Sequence, residues 1–176
     1  MDDNSRISNS KSRSAINTIF KAGTIAGTLD IICALTQFYI RTGKNPAAVL
    51  KFIASGIFGK AAVTGGTEMA LLGLLLHFII AFTWTIIFFF FYPRIFHVAK
   101  NKIIAGLLYG LFIYAVMTRV VLPLSNTPEI PFNAVQAVIG IIILMFAVGL
   151  PISFIVSRFY SVNKELTPAQ HAKMTT

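Results

Sequence analysis

The chain has 176 residues, of which 56% are hydrophobic and 12% are charged, and its formal net charge is +9 at pH 7. A soluble domain carries about 25% charged residues, and a chain with so few cannot cover a folded surface with polar groups. The composition therefore excludes a soluble enzyme domain, a disordered tail and a disulfide-built secreted module, and it indicates an integral membrane protein.

Four segments are long and apolar enough to cross a membrane, which takes about 20 mainly apolar residues as a helix. Their approximate bounds are 22–40, 69–92, 103–122 and 134–156. The second is predicted to end at Pro93, the third to stop at Pro123 and the fourth to kink at Pro151, because proline removes a backbone donor. No segment shows the alternation of a barrel strand. The sequence therefore predicts an all-α polytopic membrane protein with four transmembrane helices.

The connection between the first two spans, roughly 41–68, is too long and too apolar for a plain loop. Asn45 followed by Pro46 is a good helix start, with a capping side chain before proline at the first helical position. Apolar side chains then recur on one face, namely Val49, Leu50, Ile53 and Ile57. The pattern predicts a short amphipathic helix over about 46–58 in the membrane interface, with a re-entrant segment as the alternative.

The basic residues indicate the orientation, because cytoplasmic connections carry an excess of Lys and Arg. The side with both ends and the middle connection holds Arg6, Lys11, Arg13, Lys21, Arg94, Lys100, Lys102, Arg158, Lys164 and Lys173. The other side holds Arg41, Lys44, Lys51, Lys60 and Arg119. This distribution predicts that both termini are cytoplasmic. The polar ends, 1–18 and 161–176, are predicted to be mobile flanks of a transmembrane domain over 19–160.

Ionisable residues at membrane depth are costly unless they are paired or hydrated, so each is a default candidate for function. Asp30 lies in the middle of the first span, on the same helical face as Gly23, Gly27 and Gln37. At 1.5 Å per residue, Asp30 lies about 15 Å and His77 about 12 Å from the outer ends of their helices. Antiparallel neighbouring helices joined by one loop could therefore place the carboxylate and the imidazole within hydrogen-bonding range.

Further polar groups fall in the outer half of the same bundle. Tyr114, in the third span, lies at about the depth of His77, and Gln37 and Gln136 lie closer to the outer surface. The candidates for ligand or proton binding are Asp30, His77, Tyr114, Gln37 and Gln136. They would line an outward-open cavity or form a structural hydrogen bond that fixes helix register. A neutral Asp30 bonded to Tyr114 or to a backbone carbonyl would also satisfy the chemistry.

Two Gly-x-x-x-Gly pairs lie in the spans, Gly23 with Gly27 and Gly106 with Gly110. Such pairs let another helix approach closely. They are the predicted helix-packing residues, and they would suit a second copy of the chain in a homo-oligomer or a membrane-protein partner.

Motifs of catalysis and cofactor binding are absent from the sequence. It contains no phosphate-binding loop, no nucleophile elbow and no zinc-protease motif. The lone Cys33 cannot form an internal disulfide, and His77 lacks a second buried histidine for haem. The basic residues flank apolar runs and form no nucleic-acid module. We therefore expect no catalytic residue, no cofactor, no metal and no nucleic-acid partner, with membrane lipids as the surroundings.

The first span reads Ala22-Gly23-Thr24-Ile25-Ala26-Gly27-Thr28-Leu29-Asp30. Together with the long apolar connection and three further spans, it resembles small uncharacterised bacterial membrane proteins of the YagU-like kind. The resemblance implies a multi-pass protein of the bacterial cytoplasmic (inner) membrane, and it implies no particular activity.

Two hypotheses of function follow from these features. The first is an interaction or accessory protein that packs against a partner through its glycine-rich helix faces. The alternative is a small transporter or channel-like protein with an outward-open polar cavity that uses Asp30 and His77.

The orientation is testable by cysteine labelling. Lys44→Cys and Lys100→Cys, each with Cys33→Ser, are treated from outside intact cells with a membrane-impermeant maleimide. We expect labelling at position 44 and none at position 100 until the membrane is opened. Labelling at position 100 in intact cells would reverse the predicted orientation.

Overall fold

The structure, a computed structural model, describes the backbone of residues 3–129 and 131–174 and the side chains of residues 12–129 and 131–162. Within these ranges the chain is helical and contains no strand. Four helical stretches are long and apolar enough to cross a membrane: Ser12–Thr42, Thr67–Ala99, Lys102–Leu124 and Ala134–Val162. The predicted all-α polytopic class is therefore confirmed.

The helices follow one another with short connections. In chain order they are α1 (Asp3–Thr42), α2 (Ala47–Phe58), α3 (Lys60–Thr64), α4 (Thr67–Ala99), α5 (Lys102–Val116), α6 (Leu122–Leu124), α7 (Ala134–Ile143) and α8 (Leu150–Met174). Two π-helical segments, Met117–Val121 and Leu144–Gly149, join α5 to α6 and α7 to α8. Because α1 begins at Asp3, it includes most of the predicted mobile segment 1–18, whose mobility stays a prediction. Residues 1, 2, 175 and 176 lie outside the described residues.

The spanning helices form a bundle in which α1 packs between α4 and α8. Helix α5 packs against α4, against the π-helical segment Leu144–Gly149 and against α8. We call the end where α1 finishes and α4 begins the α2 end, and the opposite end, where α4 meets α5, the α5 end. Large apolar side chains along the outside of the bundle are exposed, for example Leu75, Ile79 and Phe90 on α4. This is the surface that a helix presents to lipid.

Aromatic side chains fill the half of the bundle at the α5 end. The core there contains Phe88, Phe89, Tyr92 and Tyr109 together with Ile152. Their polar atoms are satisfied internally: the Tyr109 hydroxyl donates to the carbonyl of Trp84 at 2.6 Å. Dense packing without open polar groups closes this half of the bundle.

The prediction that the second helix ends at Pro93 is wrong, because α4 continues through this exposed proline to Ala99. Its end is set instead by Lys100, which adopts a left-handed conformation with φ 52° and donates its N–H to the carbonyl of Phe96. The Asn101 side chain then accepts the N–H of Ile103 and starts α5. Proline costs a helix one hydrogen bond, whereas a left-handed residue followed by a new cap redirects the chain.

At Pro123 and Pro151 the helices depart from regular α-helical geometry close to the predicted positions. The third spanning helix ends at Leu124, one residue beyond Pro123. In both remaining helices a π-helical segment stops two residues before the proline, at Val121 and at Gly149. A π-helical turn offers carbonyls a donor five residues along, which compensates for the N–H that proline lacks.

The connecting segment forms α2, which begins where the sequence predicts it, since the Asn45 side chain accepts the N–H of Ala47 at 2.9 Å. Helix α2 packs closely against α4. A side-chain Cβ at Gly73 would overlap the carbonyl of Leu50. This contact joins α2 to the bundle itself.

The four predicted packing glycines contact helices of the same chain. A Cβ at Gly27 would lie 3.1 Å from the Cβ of Ala81, and one at Gly23 would meet the Phe82 ring. A Cβ at Gly106 would lie 2.8 Å from the carbonyl oxygen of Gly149, and one at Gly110 would meet the backbone of Met145 and its neighbour. These faces are therefore occupied by α4 and by the fourth spanning helix.

Gly106→Ala should lower the free energy of unfolding by about 1–3 kcal/mol, because both sides of the contact are backbone and cannot yield. Thermal or SDS-induced unfolding in detergent measures the change. Gly56→Ala is the matched control, since the nearest atom to its Cβ would be 3.8 Å away. It should be neutral or stabilise the helix by up to about 1 kcal/mol. Equal effects at the two positions would contradict the assigned packing.

Candidate functional site

A cavity of about 360 Å³ lies inside the bundle, in the half nearer the α2 end. Residues of α1, α2, α4, α5 and α7 and of both π-helical segments line it. The lining is mainly apolar, and its polar members are Asp30, Gln37, His77, Tyr114, Thr118, Ser125 and Thr127. Four of the five predicted ligand candidates thus line one cavity. The fifth, Gln136, is not among its lining residues.

Asp30 faces this cavity as a half-buried side chain. Among the described side chains it makes no hydrogen bond and no ion pair, and no fully enclosed side-chain oxygen or nitrogen in this part of the chain lacks a partner. The carboxylate oxygens of Asp30 therefore keep surface of their own at the cavity. The charge of Asp30 interacts electrostatically with His77, but no described side chain forms a hydrogen bond to the carboxylate. A carboxylate at this depth is costly without water or a ligand, so Asp30 is a candidate binding group.

His77 is 8% exposed, and its Nε2 lies 2.8 Å from the carbonyl oxygen of Gly27. A carbonyl can only accept, so Nε2 carries a proton and donates it. No hydrogen bond joins His77 to Asp30 among the described side chains, although the two groups interact electrostatically. Because the contact at Gly27 brings α1 and α4 together, the imidazole reaches the backbone of α1 before it reaches the carboxylate three residues further on.

The cavity has two further polar walls. Tyr114 is half-buried, and its ring lies 3.2 Å from where a Cβ at Gly140 would stand. Gln37 donates through Nε2 to Oε1 of Gln136 and so joins α1 to α7. The structure therefore separates the predicted candidates into those that are open to the cavity, Asp30 and Tyr114, and those that link helices, His77 and Gln37.

A second and wider volume, about 1010 Å³, adjoins the cavity on the side of the α2 end. The two volumes share Phe52, Tyr114, Thr118, Leu122, Ser125 and Thr127 as lining residues. Exposed side chains, among them Arg119, Glu129 and Phe132, line the wider one. We call it the vestibule, and it connects the cavity to the surface at the α2 end.

Helix α2 covers the cavity, a role that sequence analysis missed. Phe52, Ile53 and Gly56 contribute to the lining. The N–H of Asn126 donates to the carbonyl of Gly56 at 3.0 Å, and its side-chain amide donates to the carbonyl of Ile57 at 3.2 Å. The end of α2 is therefore fastened to the turn after α6. The apolar stripe of α2 was the available signal, since such a stripe fits a bundle as well as an interface.

The floor of the cavity contains Trp84, Ile113 and Val148. The Trp84 ring meets Phe112 edge-on, with centroids 6.1 Å apart. Below it lies the aromatic core, so the cavity opens towards the α2 end and is closed towards the α5 end. The depth of this closed half follows from the packing of these side chains.

No group of three or more His, Cys, Asp and Glu side chains suited to a metal ion occurs in the described ranges. The fold defines the class, a polytopic helical membrane protein with a cavity between its helices. Comparisons with protein-family models, curated proteins and solved structures yielded no match.

Access to the cavity is testable with Asp30→Cys and Ala26→Cys, each combined with Cys33→Ser. We expect a positively charged methanethiosulfonate reagent to modify position 30, because that side chain faces the cavity. Position 26 lies one turn away on the same helix and is fully buried, so it should stay unmodified. Mass spectrometry measures the added group, and protection of position 30 would show that the cavity excludes water.

Proposed function

We propose that this protein binds a small organic cation with apolar substituents in the cavity and acts as a small transporter or channel-like protein. The observation that carries the proposal is the carboxylate of Asp30, which faces the cavity without an ion pair among the described residues. A ligand cation would form an ion pair with this carboxylate.

The charge of the cavity favours a cation. Its described lining contains one carboxylate, that of Asp30, and no Lys or Arg. At membrane depth, the free-energy cost of removing a charged group from water is offset only by a close opposite charge. An anionic ligand would meet repulsion from Asp30 and find no Lys or Arg in this lining. The imidazole of His77 is present, but its Nε2 proton is already donated to the carbonyl of Gly27.

The walls favour apolar substituents on that cation. Phe52, Ile53, Ile80 and Met117 present hydrocarbon and thioether surface. Trp84 adds an indole ring, the aromatic group that attracts cations most strongly. Ligand cavities of a few hundred Å³ with apolar walls and few polar groups are typical of small-molecule sites.

The route into the cavity is the vestibule, where Arg119 and Glu129 contribute one charge of each sign near the surface and α2 covers the entrance. Passage to the other side would require the aromatic half at the α5 end to open. Movement of one helix pair against the other around a fixed site is the usual means in small transporters.

The other hypothesis is an accessory protein that packs against a partner. Its glycine faces are in contact with α4 and the fourth spanning helix, so a partner or a second copy would have to use another surface. The orientation and the resemblance in the first span support a bacterial inner-membrane setting with cytoplasmic termini. In that setting the vestibule faces the outside of the cell.

Binding is tested with benzyltrimethylammonium and its neutral isostere neopentylbenzene, using quenching of the single tryptophan, Trp84, in purified protein. The wild-type protein should bind the cation at least tenfold more tightly than the neutral compound. Asp30→Asn should lower affinity for the cation about tenfold or more and leave the neutral compound unaffected, because the change removes the charge and keeps the shape.

A matched control is Glu129→Gln, which removes a carboxylate from the exposed vestibule and should change affinity by less than about threefold, since exposed charges are screened. Uptake of the labelled cation into proteoliposomes then separates transport from binding. Equal affinity of Asp30→Asn and wild type for the cation would contradict the proposed function.

A further inference from the structure

A groove of about 620 Å³ lies between α1 and α8 near the α5 end, on the opposite side of the closed aromatic half from the cavity. Two basic residues, Lys21 of α1 and Arg158 of α8, line it from facing helices. Both are exposed, and neither makes an ion pair or a hydrogen bond to a described side chain. We propose that this groove binds the headgroup of an anionic phospholipid.

The charge of the groove fits a phosphate group. Its described lining contains two cations and no acidic side chain, and the Ser14 hydroxyl adds a donor on α1. Thr18 donates to the backbone carbonyl of Ser14 at 2.8 Å. The Ser14 hydroxyl has no such protein partner in the described residues. Lys and Arg pair well with phosphate oxygens, Arg with two at once.

The order of residues along the helices favours a lipid over a free phosphate. From the α5 end towards the middle of α1, Thr18 and Lys21 come first and Ile25 follows one turn later. On α8, Arg158 is followed in the same direction by Phe154. Ile25 and Phe154 are 46% and 41% exposed on the outside of the bundle. A lipid whose headgroup binds the two cations would thus place its acyl chain against Ile25 and Phe154.

A third cation strengthens the field at this position. The ammonium of Lys102 lies 5.1 Å from the centre of the Phe154 ring. Phe154 separates it from the groove, and Arg158 and Lys102 line a second hollow beside it. Basic pockets between spanning helices at the level of the headgroups are known sites for anionic lipids. This inference is independent of the proposed function of the cavity.

The test is native mass spectrometry of delipidated full-length protein in a neutral detergent, titrated with dioleoylphosphatidylglycerol. Lys21→Gln with Arg158→Gln should weaken binding about 30-fold, or about fivefold for each basic residue near the headgroups. Arg94→Gln with Lys100→Gln is the matched control. It removes the same charge at the same end but outside the groove, and it should change binding less than threefold.

Two further ligands separate the possible sources of the phosphate. Dioleoylphosphatidylcholine, which is zwitterionic, and glycerophosphoglycerol, which has the headgroup without the tails, should each bind at least tenfold more weakly than phosphatidylglycerol. An equal loss of phosphatidylglycerol binding in the two double variants would show that only the overall surface charge matters, and it would overturn the proposal. Equal binding of the tailless headgroup would assign the groove to a soluble phosphate and overturn it as well. If the double variant fails to fold, Arg158→Gln alone carries the same test at about fivefold.

Discussion

The hydrogen bond from His77 to the carbonyl of Gly27 is the contact on which the candidate site depends. It crosses the close approach of α1 and α4 at a glycine, where the absence of a side chain lets the imidazole reach the backbone. The bond joins the two helices at a defined register. That register turns Asp30, three residues further along α1, towards the cavity.

The bundle divides its polar and apolar groups between its two ends. Aromatic packing around Phe88 and Tyr109 closes the α5 end, and the cavity and vestibule occupy the α2 end. The two π-helical segments contribute to the cavity wall through Met117 and Leu144. A wider helical turn displaces side chains from regular helical positions, and here it does so where four helices surround a space that they do not fill.

The same scarcity of charge would give both proposed sites their preference for one sign of ligand charge. A carboxylate without an ion pair at membrane depth would attract a cation, and two basic residues without acidic partners at the level of the headgroups would attract a phosphate. Each argument rests on charges that lack compensation among the described side chains. In a soluble protein such groups would be solvated and would indicate little.

Much of the fold is readable from the chain alone. Four apolar stretches of sufficient length, the Asn45–Pro46 helix start and the depths of Asp30 and His77 follow from local pattern, because hydrocarbon admits few structures other than helices and closed barrels. Helical rise then places residues along the membrane normal. The predicted end of α4 was wrong because proline weakens a helix without necessarily ending it. The helix ends at Lys100 through a left-handed conformation, which the sequence pattern does not predict.

Rotation and partner choice were decided by the tertiary structure. The sequence supplied two glycine pairs, but the bundle filled their faces with its own helices, because those faces allow close approach to whichever helix lies nearest. Composition likewise supplied a membrane-depth aspartate and histidine, but only packing decided that the histidine bonds to backbone and the aspartate faces open space. Depth follows from counting residues along one helix. Pairing depends on the angles between several helices, which are set by contacts between distant parts of the chain.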